Sequence, residues 1–138
     1  MLRVLAQASL MLVLAVSPWA PVAAAKDAAL TVNGFRAANG LKPLRADPKM
    51  AKLARAHAQD MARRESMDHA GFMQHRAPAG ARAENVSVGC ATNACAIQQW
   101  INSGPHRANL LLTNARGYGL ASAVSRSGAR YWALEFGK

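Results

Sequence analysis

Residues 100–111 read W-I-N-S-G-P-H-R-A-N-L-L. Trp100 and Ile101 complete the apolar face of a helix that the spacing predicts over residues 93–102. Gly104 and Pro105 then break the backbone, and a second short helical segment is predicted over residues 106–112. His106 therefore follows directly after a break between two helices. A histidine in that place can be presented to a cleft instead of filling the core, and the rest of the sequence has to decide between the two.

The first 25 residues have the composition of a secretory signal peptide. Arg3 supplies a positive start, residues 10–16 are an apolar run, and residues 22–25 supply small side chains of the kind that signal peptidase reads. The apolar run is too short to span a bilayer, which takes about 20 residues. We therefore expect a secreted or periplasmic protein in which residues 26–138 form a single domain.

The chain is strongly basic, with a formal net charge of +10. The leader holds one basic residue and no acidic one, so the remainder keeps a charge of +9. Such a charge favours anionic partners, and an anionic lipid or a cell-wall fragment is expected, with peripheral membrane contact. The basic residues are spread along the chain without aromatic interleaving, and a plain solvated basic surface stays open as the alternative. No nucleic acid is expected as a partner.

The two cysteines of the chain, Cys90 and Cys95, lie in the segment G-C-A-T-N-A-C. In an oxidising compartment such a pair most simply forms one short-loop disulfide. Two thiols alone make a poor zinc site, so the sequence predicts a disulfide here.

The remaining segments predict helices first and a β-hairpin last. Helices are expected over residues 27–38 and from the Asp47-Pro48 cap to about Ser66, followed by a long loop over residues 68–83. A short strand is expected over residues 84–89, and the hairpin over the last part of the chain, with its turn at residues 125–128. This order predicts an α+β domain with helices packed on a small antiparallel sheet.

Four histidines are the main candidates for chemistry. His57 lies on the apolar face of the long helix and is expected to be packed, whereas His75 is expected to be exposed. His69 and His106 each follow a helix end or a chain break. Glu84 starts a strand directly after the long loop, so a His69/Glu84/His106 cluster is a hypothesis that the local context alone leaves open.

Six motifs in order strengthen that hypothesis through resemblance. Together they resemble the bacterial branch of the CAP superfamily (cysteine-rich secretory proteins, antigen 5 and pathogenesis-related 1 proteins, also called SCP domains). The resemblance covers almost all of residues 28–137 and is carried by N-G-F-R-A-A-N-G-L-K-P-L (33–44), A-R-A-H-A-Q-D-M-A (54–62), D-H (68–69), A-E-N-V (83–86), the opening stretch (100–111) and Y-W-A-L-E-F-G (131–137).

The resemblance implies an α-β-α sandwich in which helices flank the sheet around a central cleft. It also implies that His69, Glu84 and His106 line this cleft, and that the two histidines bind zinc in some members. A second glutamate of eukaryotic members falls on Ser103 here, so the acid/base set of four is incomplete.

Three functions stay open at this point. The first is an extracellular module that binds a lipid, a cell-wall fragment or another ligand, with zinc as the one cofactor considered. The second is a metal-dependent hydrolase in which Glu84 or His106 is catalytic and the metal lowers the pKa of a bound water. In the third, His69 and Glu84 are a structural pair and no ligand binds; Ser103 as a nucleophile would need a histidine within reach of its hydroxyl.

Overall fold

The computed structural model describes residues 30–138. The predicted signal peptide over residues 1–25 therefore lies outside the described residues. Within the described part of the chain, no helix is both long enough and apolar enough to cross a membrane.

A four-stranded sheet forms the middle layer. Its strands are β1 (Arg45–Ala46), β2 (Ala81–Val88), β3 (Gly117–Val124) and β4 (Arg130–Gly137), in the order β1-β3-β4-β2. The pairs β2–β4 and β3–β4 are antiparallel, and β3–β4 is the predicted hairpin. The two-residue β1 runs parallel to β3, so the sheet is mixed and not wholly antiparallel as predicted.

One face of the sheet is covered by a single helix, α2 (Pro48–Arg64). Asp47 caps this helix by accepting hydrogen bonds from the backbone N–H groups of Lys49 and Met50, and Pro48 stands in the first turn, as the sequence predicts. The core on this face consists mainly of alanines, together with three larger side chains: Ala54, Ala58, Ala62 and Ala133, with Met61, Val86 and Tyr131.

The opposite face is covered by three shorter helices, α1 (Val32–Ala38), α3 (Asn93–Asn102) and α4 (Gly104–Leu110). Trp100 is 1 % exposed, and its indole N–H donates to the Val86 carbonyl at 2.9 Å, which fixes α3 to β2. Ile97, Leu110, Leu134 and Phe136 complete this larger core. The two layers of helices around the sheet confirm the predicted α-β-α architecture.

A glycine sets the distance between α2 and the sheet. A Cβ on Gly119 of β3 would lie 2.0 Å from the backbone nitrogen of Ala51 and 2.2 Å from the carbonyl carbon of Met50. Any side chain at this position would therefore push the helix off the hairpin. The close approach explains why the segment G-Y-G-L-A-S-A-V offers only small residues to α2.

The bounds of three helices differ from the prediction. Thr31 caps α1 by accepting from the Gly34 N–H, so the helix begins at Val32, and the earlier start predicted at residue 27 falls outside the described residues. Helix α2 ends two residues early because Glu65 adopts a left-handed conformation with φ of 50°. Helix α3 has the predicted bounds, whereas α4 spans Gly104–Leu110 and so begins and ends two residues before the prediction.

The segment 68–83 is more ordered than the predicted loop. A short π-helical turn spans Phe72–Arg76, and β2 already begins at Ala81. The segment folds around the Arg76 side chain, which is 7 % exposed and donates to the carbonyls of Ala70 and His69. The sequence shows no period here because one buried cation, and not a repeating apolar face, organises the chain.

The predicted disulfide between Cys90 and Cys95 is present, with an S–S distance of 2.03 Å. It closes the connection between β2 and α3. The Cys90 carbonyl accepts a 2.8 Å hydrogen bond from the Trp132 indole, which ties the same connection to β4.

Candidate functional site

The candidate site lies at the β2 edge of the sheet. Strand β2 is an outer strand, so the segment that follows α2 on one face and helix α4 on the other can both reach it. His69 comes from the first side and His106 from the second.

His69 is the exposed member of the site. Its side chain is 54 % exposed, yet its Nδ1 lies 2.7 Å from Oε1 of Glu84, whose side chain is only 2 % exposed. Since a carboxylate can only accept hydrogen bonds, Nδ1 carries the ring hydrogen and donates a hydrogen bond to Glu84. Nε2 is thereby fixed as the ring nitrogen that does not face Glu84.

His106 is positioned through the backbone of α4. Its carbonyl accepts a 3.0 Å hydrogen bond from the Asn85 side chain on β2. Asn109, one turn later, donates to the Glu84 carbonyl at 3.2 Å and to Asn85 Oδ1 at 2.9 Å. Partial burial, with a smaller contribution from the charge of His69, lowers the pKa of His106, so its imidazole is neutral at pH 7.

The other candidate residues in residues 100–111 make fewer contacts at the site. The Ser103 hydroxyl makes no capping hydrogen bond to α4, and no hydrogen bond within residues 30–138 joins it to an imidazole. Arg107 is exposed and donates to the Ile101 carbonyl at 2.9 Å, which caps the end of α3. Asn109 reaches the site and Arg107 does not.

Glu84 also belongs to a buried cluster with Arg76 and Glu135, which the sequence did not predict. Arg76 Nη2 donates to Glu84 Oε1 at 3.0 Å, and its Nε lies 2.5 Å from Glu84 Oε2 and 3.1 Å from Oε1 of Glu135. Glu135 is fully buried on β4, directly across the ladder from Glu84. Two carboxyl groups thus share one guanidinium in the buried interior.

The two carboxyl groups cannot both be ionised at low cost. Burial, together with the hydrogen bond and the charge of Glu84, raises the pKa of Glu135 to about 10. The hydrogen bonds from Glu135, Arg76 and His69 outweigh burial and lower the pKa of Glu84. At neutral pH the pair therefore holds one proton, which resides on Glu135, while Glu84 is the carboxylate.

His57 is a further buried neighbour of Glu84. It is 3 % exposed, in agreement with the prediction of a packed histidine, and its Nε2 lies 2.8 Å from the Asp68 carbonyl and 3.7 Å from Glu84 Oε1. Burial lowers the pKa of His57, so it is neutral at pH 7. His75, as predicted, is exposed and belongs to no part of this cluster.

The donor set of the site does not fit a resident zinc ion. Structural zinc takes four protein ligands and catalytic zinc three. Within residues 30–138, no group of three or more His, Cys, Asp or Glu side chains could hold a metal ion. Both oxygens of Glu84 face Arg76 or His69, which leaves the two imidazoles as the available ligands.

Comparisons with known proteins agree with this architecture. The profile of the cysteine-rich secretory protein family (CAP) matches residues 30–136. The fold is an α-β-α sandwich with a histidine and a glutamate at the edge of the sheet. The family match over these residues shows that the chain belongs to the CAP family. It is 32 % identical over 116 residues to the uncharacterized protein YkwD of Bacillus subtilis (strain 168), covering 75 % of this chain and 43 % of YkwD.

Solved structures share the fold at lower identity. An outer surface protein from Borrelia burgdorferi matches with a TM-score of 0.64 at 19 % identity, over 78 % of this chain and 86 % of that one. An extracellular protein containing an SCP domain, from Bacillus anthracis str. Ames, matches with a TM-score of 0.60 at 24 % identity, over 78 % and 37 %. The chain thus spans less than half the length of YkwD and of the B. anthracis protein.

Proposed function

We propose that this protein is an extracellular binding domain whose ligand lies in the cleft between His69 and His106. One observation carries the proposal: His69 is more than half exposed, although a buried carboxylate holds its Nδ1 at 2.7 Å. A surface histidine without a function has no need of a dedicated partner in the core. A histidine that must meet a ligand in one orientation does.

The chemistry of the cleft favours a ligand that donates hydrogen bonds. In our proposal the ligand meets the His69 tautomer whose Nδ1 donates to Glu84, so that Nε2 accepts a hydrogen bond from the ligand. His106 is neutral at pH 7 and offers a second imidazole. Hydroxyl and amide groups are the natural partners of two such acceptors, and a bacterial cell-wall fragment is rich in both.

The charge of the chain favours a ligand in an anionic envelope. The formal charge of +9 on residues 26–138 raises the local concentration of a polyanion around the domain. Two of the structural relatives are an outer surface protein and an extracellular protein. A cell-wall fragment is therefore our proposed ligand class, ahead of an anionic lipid, and export of this protein is part of the proposal.

Hydrolysis is supported less well by the same geometry. A hydrolase needs a base that can reach substrate or water. Glu84 is buried behind His69 with both oxygens facing other side chains, and Ser103 has no histidine on its hydroxyl. In our proposal Glu84 positions His69 and touches no ligand.

The test is binding of a soluble muropeptide to the purified protein, followed by calorimetry. We expect His69→Ala and His106→Ala each to weaken binding at least about tenfold, the loss of one buried hydrogen bond, with an unchanged melting temperature. His75→Ala is the matched control, because it removes an exposed histidine outside the cleft. If both cleft variants bind as the parent does, the proposal is wrong.

Two further titrations separate the alternatives. Zinc chloride bound stoichiometrically by the parent and lost in His106→Ala would establish a metal site made by the histidines, against our assessment of the donor set. Vesicles of phosphatidylglycerol bound in place of the muropeptide, with the same dependence on His69, would assign the cleft to lipid. A variant that loses stability but no ligand would support the purely structural role.

A further inference from the structure

A cavity of about 310 Å³ opens near the C-terminal end of α4, whereas His106 lies near the N-terminal end. It is lined by the segment that joins α1 to β1 and by the segment before β3. Three of its lining residues are cationic, namely Arg36, Lys42 and Arg116, and Thr113 adds a hydroxyl. No acidic side chain of residues 30–138 lines this cavity.

Arg36 is the buried cation of the three, with 3 % of its surface exposed. Its Nε donates to the Lys42 carbonyl at 3.0 Å, and its Nη1 donates to the carbonyls of Leu110 and Leu112 at 2.9 and 2.8 Å. The other terminal nitrogen, Nη2, makes no hydrogen bond within the described part of the chain. Nη2 is not among the fully buried unpaired polar atoms of residues 30–138, and Arg36 is one of the residues that line the cavity.

The three carbonyls explain where Arg36 lies but not how its charge is balanced. Carbonyl oxygens carry only partial charges, and no carboxylate of residues 30–138 forms an ion pair with this guanidinium. Burial lowers the pKa of Arg36, which nevertheless stays protonated. Buried charges are ordinarily paired.

The rim adds charge of the same sign. Lys42 and Arg116 are exposed and belong to none of the ion pairs within residues 30–138. Three like charges around one cavity repel each other, and only an anion from outside the described chain would offset them.

We propose that this cavity binds a phosphate group. Arg36 Nη2 donates to one phosphate oxygen, Lys42 and Arg116 supply positive charge at the rim, and the Thr113 hydroxyl is available as a further donor. Three cations match a doubly charged phosphate better than a singly charged carboxylate, and guanidinium groups suit phosphate oxygens. The volume is at the lower end of the range of small-molecule pockets, about 300–1,000 Å³, and suits a phosphate with a small substituent.

The group could come from free inorganic phosphate or from a phospholipid head group, which share this chemistry. The site is independent of the cleft between His69 and His106, so either proposal can fail without the other. We would titrate inorganic phosphate into the full-length protein at constant ionic strength and follow backbone amide resonances. Saturable shifts are expected at Arg36, Lys42 and Arg116.

The test uses substitutions at exposed positions. Arg36 itself donates hydrogen bonds to three backbone carbonyls, so its replacement can disturb the fold. Lys42→Gln and Arg116→Gln should each raise the dissociation constant for phosphate about fivefold, the effect of losing one exposed charge contact. Lys52→Gln removes one exposed charge from α2, which does not line the cavity, and should leave the constant unchanged. If all three variants weaken phosphate binding equally, the effect comes from the net charge of the protein and not from this cavity. That result would overturn the proposal.

The second arm uses vesicles of phosphatidylglycerol, with phosphatidylcholine vesicles at the same lipid concentration for comparison. Binding of inorganic phosphate that depends on Lys42 and Arg116 assigns the site to the free ion. Binding to phosphatidylglycerol alone, with the same dependence, assigns it to the head group. Absence of saturable binding to both probes overturns the proposal.

Discussion

Replacing Glu135 by glutamine should remove a pH dependence of stability that the parent protein shows between about pH 7 and pH 8.5. Glu135 is fully buried, and its pKa is raised to about 10 from an ordinary value of 4.5. A raised pKa means that the folded state keeps a proton that the unfolded state has lost. The stability that this proton provides is complete below pH 4.5 and is lost as the pH rises towards 10.

The size of the effect follows from proton linkage. Across this window the folded protein binds one more proton than the unfolded chain, so the free energy of unfolding falls by about 1.4 kcal/mol per pH unit. The parent should therefore lose about 2 kcal/mol between pH 7 and pH 8.5. Glutamine cannot ionise, and its amide can donate to Glu84 while its oxygen faces Arg76, so the variant should show no such fall.

Other groups around Glu135 do not titrate in this window. Glu84 has a lowered pKa and is already ionised. Burial lowers the pKa of His57, so this imidazole is already neutral at pH 7. The slope thus reports on Glu135 alone among the groups that face it.

Urea unfolding followed by tryptophan fluorescence, at half-unit steps of pH, would measure the slope. Glu65→Gln is the matched control: it removes an exposed acid with a lowered pKa, and should keep the parental slope. A parent as flat as Glu135→Gln would refute the assignment of the proton. A variant that is less stable than the parent at every pH would show that the amide does not fit the cluster.

Three further outcomes are expected from single features of the structure. Replacing both Cys90 and Cys95 by alanine should lower the free energy of unfolding by about 2 kcal/mol, because the disulfide closes a short loop, and urea unfolding would measure it. Gly119→Ala should cost more than about 3 kcal/mol, since its Cβ would meet the α2 backbone, whereas Gly104→Ala meets nothing within 4 Å and should change the melting temperature little. His106 should titrate below the ordinary histidine pKa of 6.5 in an NMR pH series, and a value above 6.5 would contradict its partial burial.

Regular parts of the fold could be predicted because local signals determine them. Asp47-Pro48 caps α2 as expected, α3 has its predicted bounds, and the hairpin turn lies where Gly128 suggests it. The two-residue β1 could not be predicted, because it exists only through its hydrogen bonds to β3. Such pairings depend on tertiary contacts and leave no period in the sequence.

The site was predicted on its exposed side and missed on its buried side. His69, Glu84 and His106 were identified by resemblance, and the structure brings all three to the β2 edge. The loop predicted over residues 68–83 gave no sign that Arg76 is buried. Glu135 had a usable signal: it is one of two acidic residues after Asp68, and it interrupts the apolar run Y-W-A-L-E-F-G.

This division between an exposed and a buried part decides how variants can be interpreted. Glu84 carries one negative charge, Arg76 one positive charge and protonated Glu135 none, so the buried cluster is neutral overall. Removing Arg76 would leave an uncompensated carboxylate in the core and should unfold the protein before any effect on a ligand could be seen. Removing His69 deletes an exposed ring and leaves Glu84 still paired with Arg76. Only the histidines can therefore separate a binding role from a structural one, which is why the test of function belongs there.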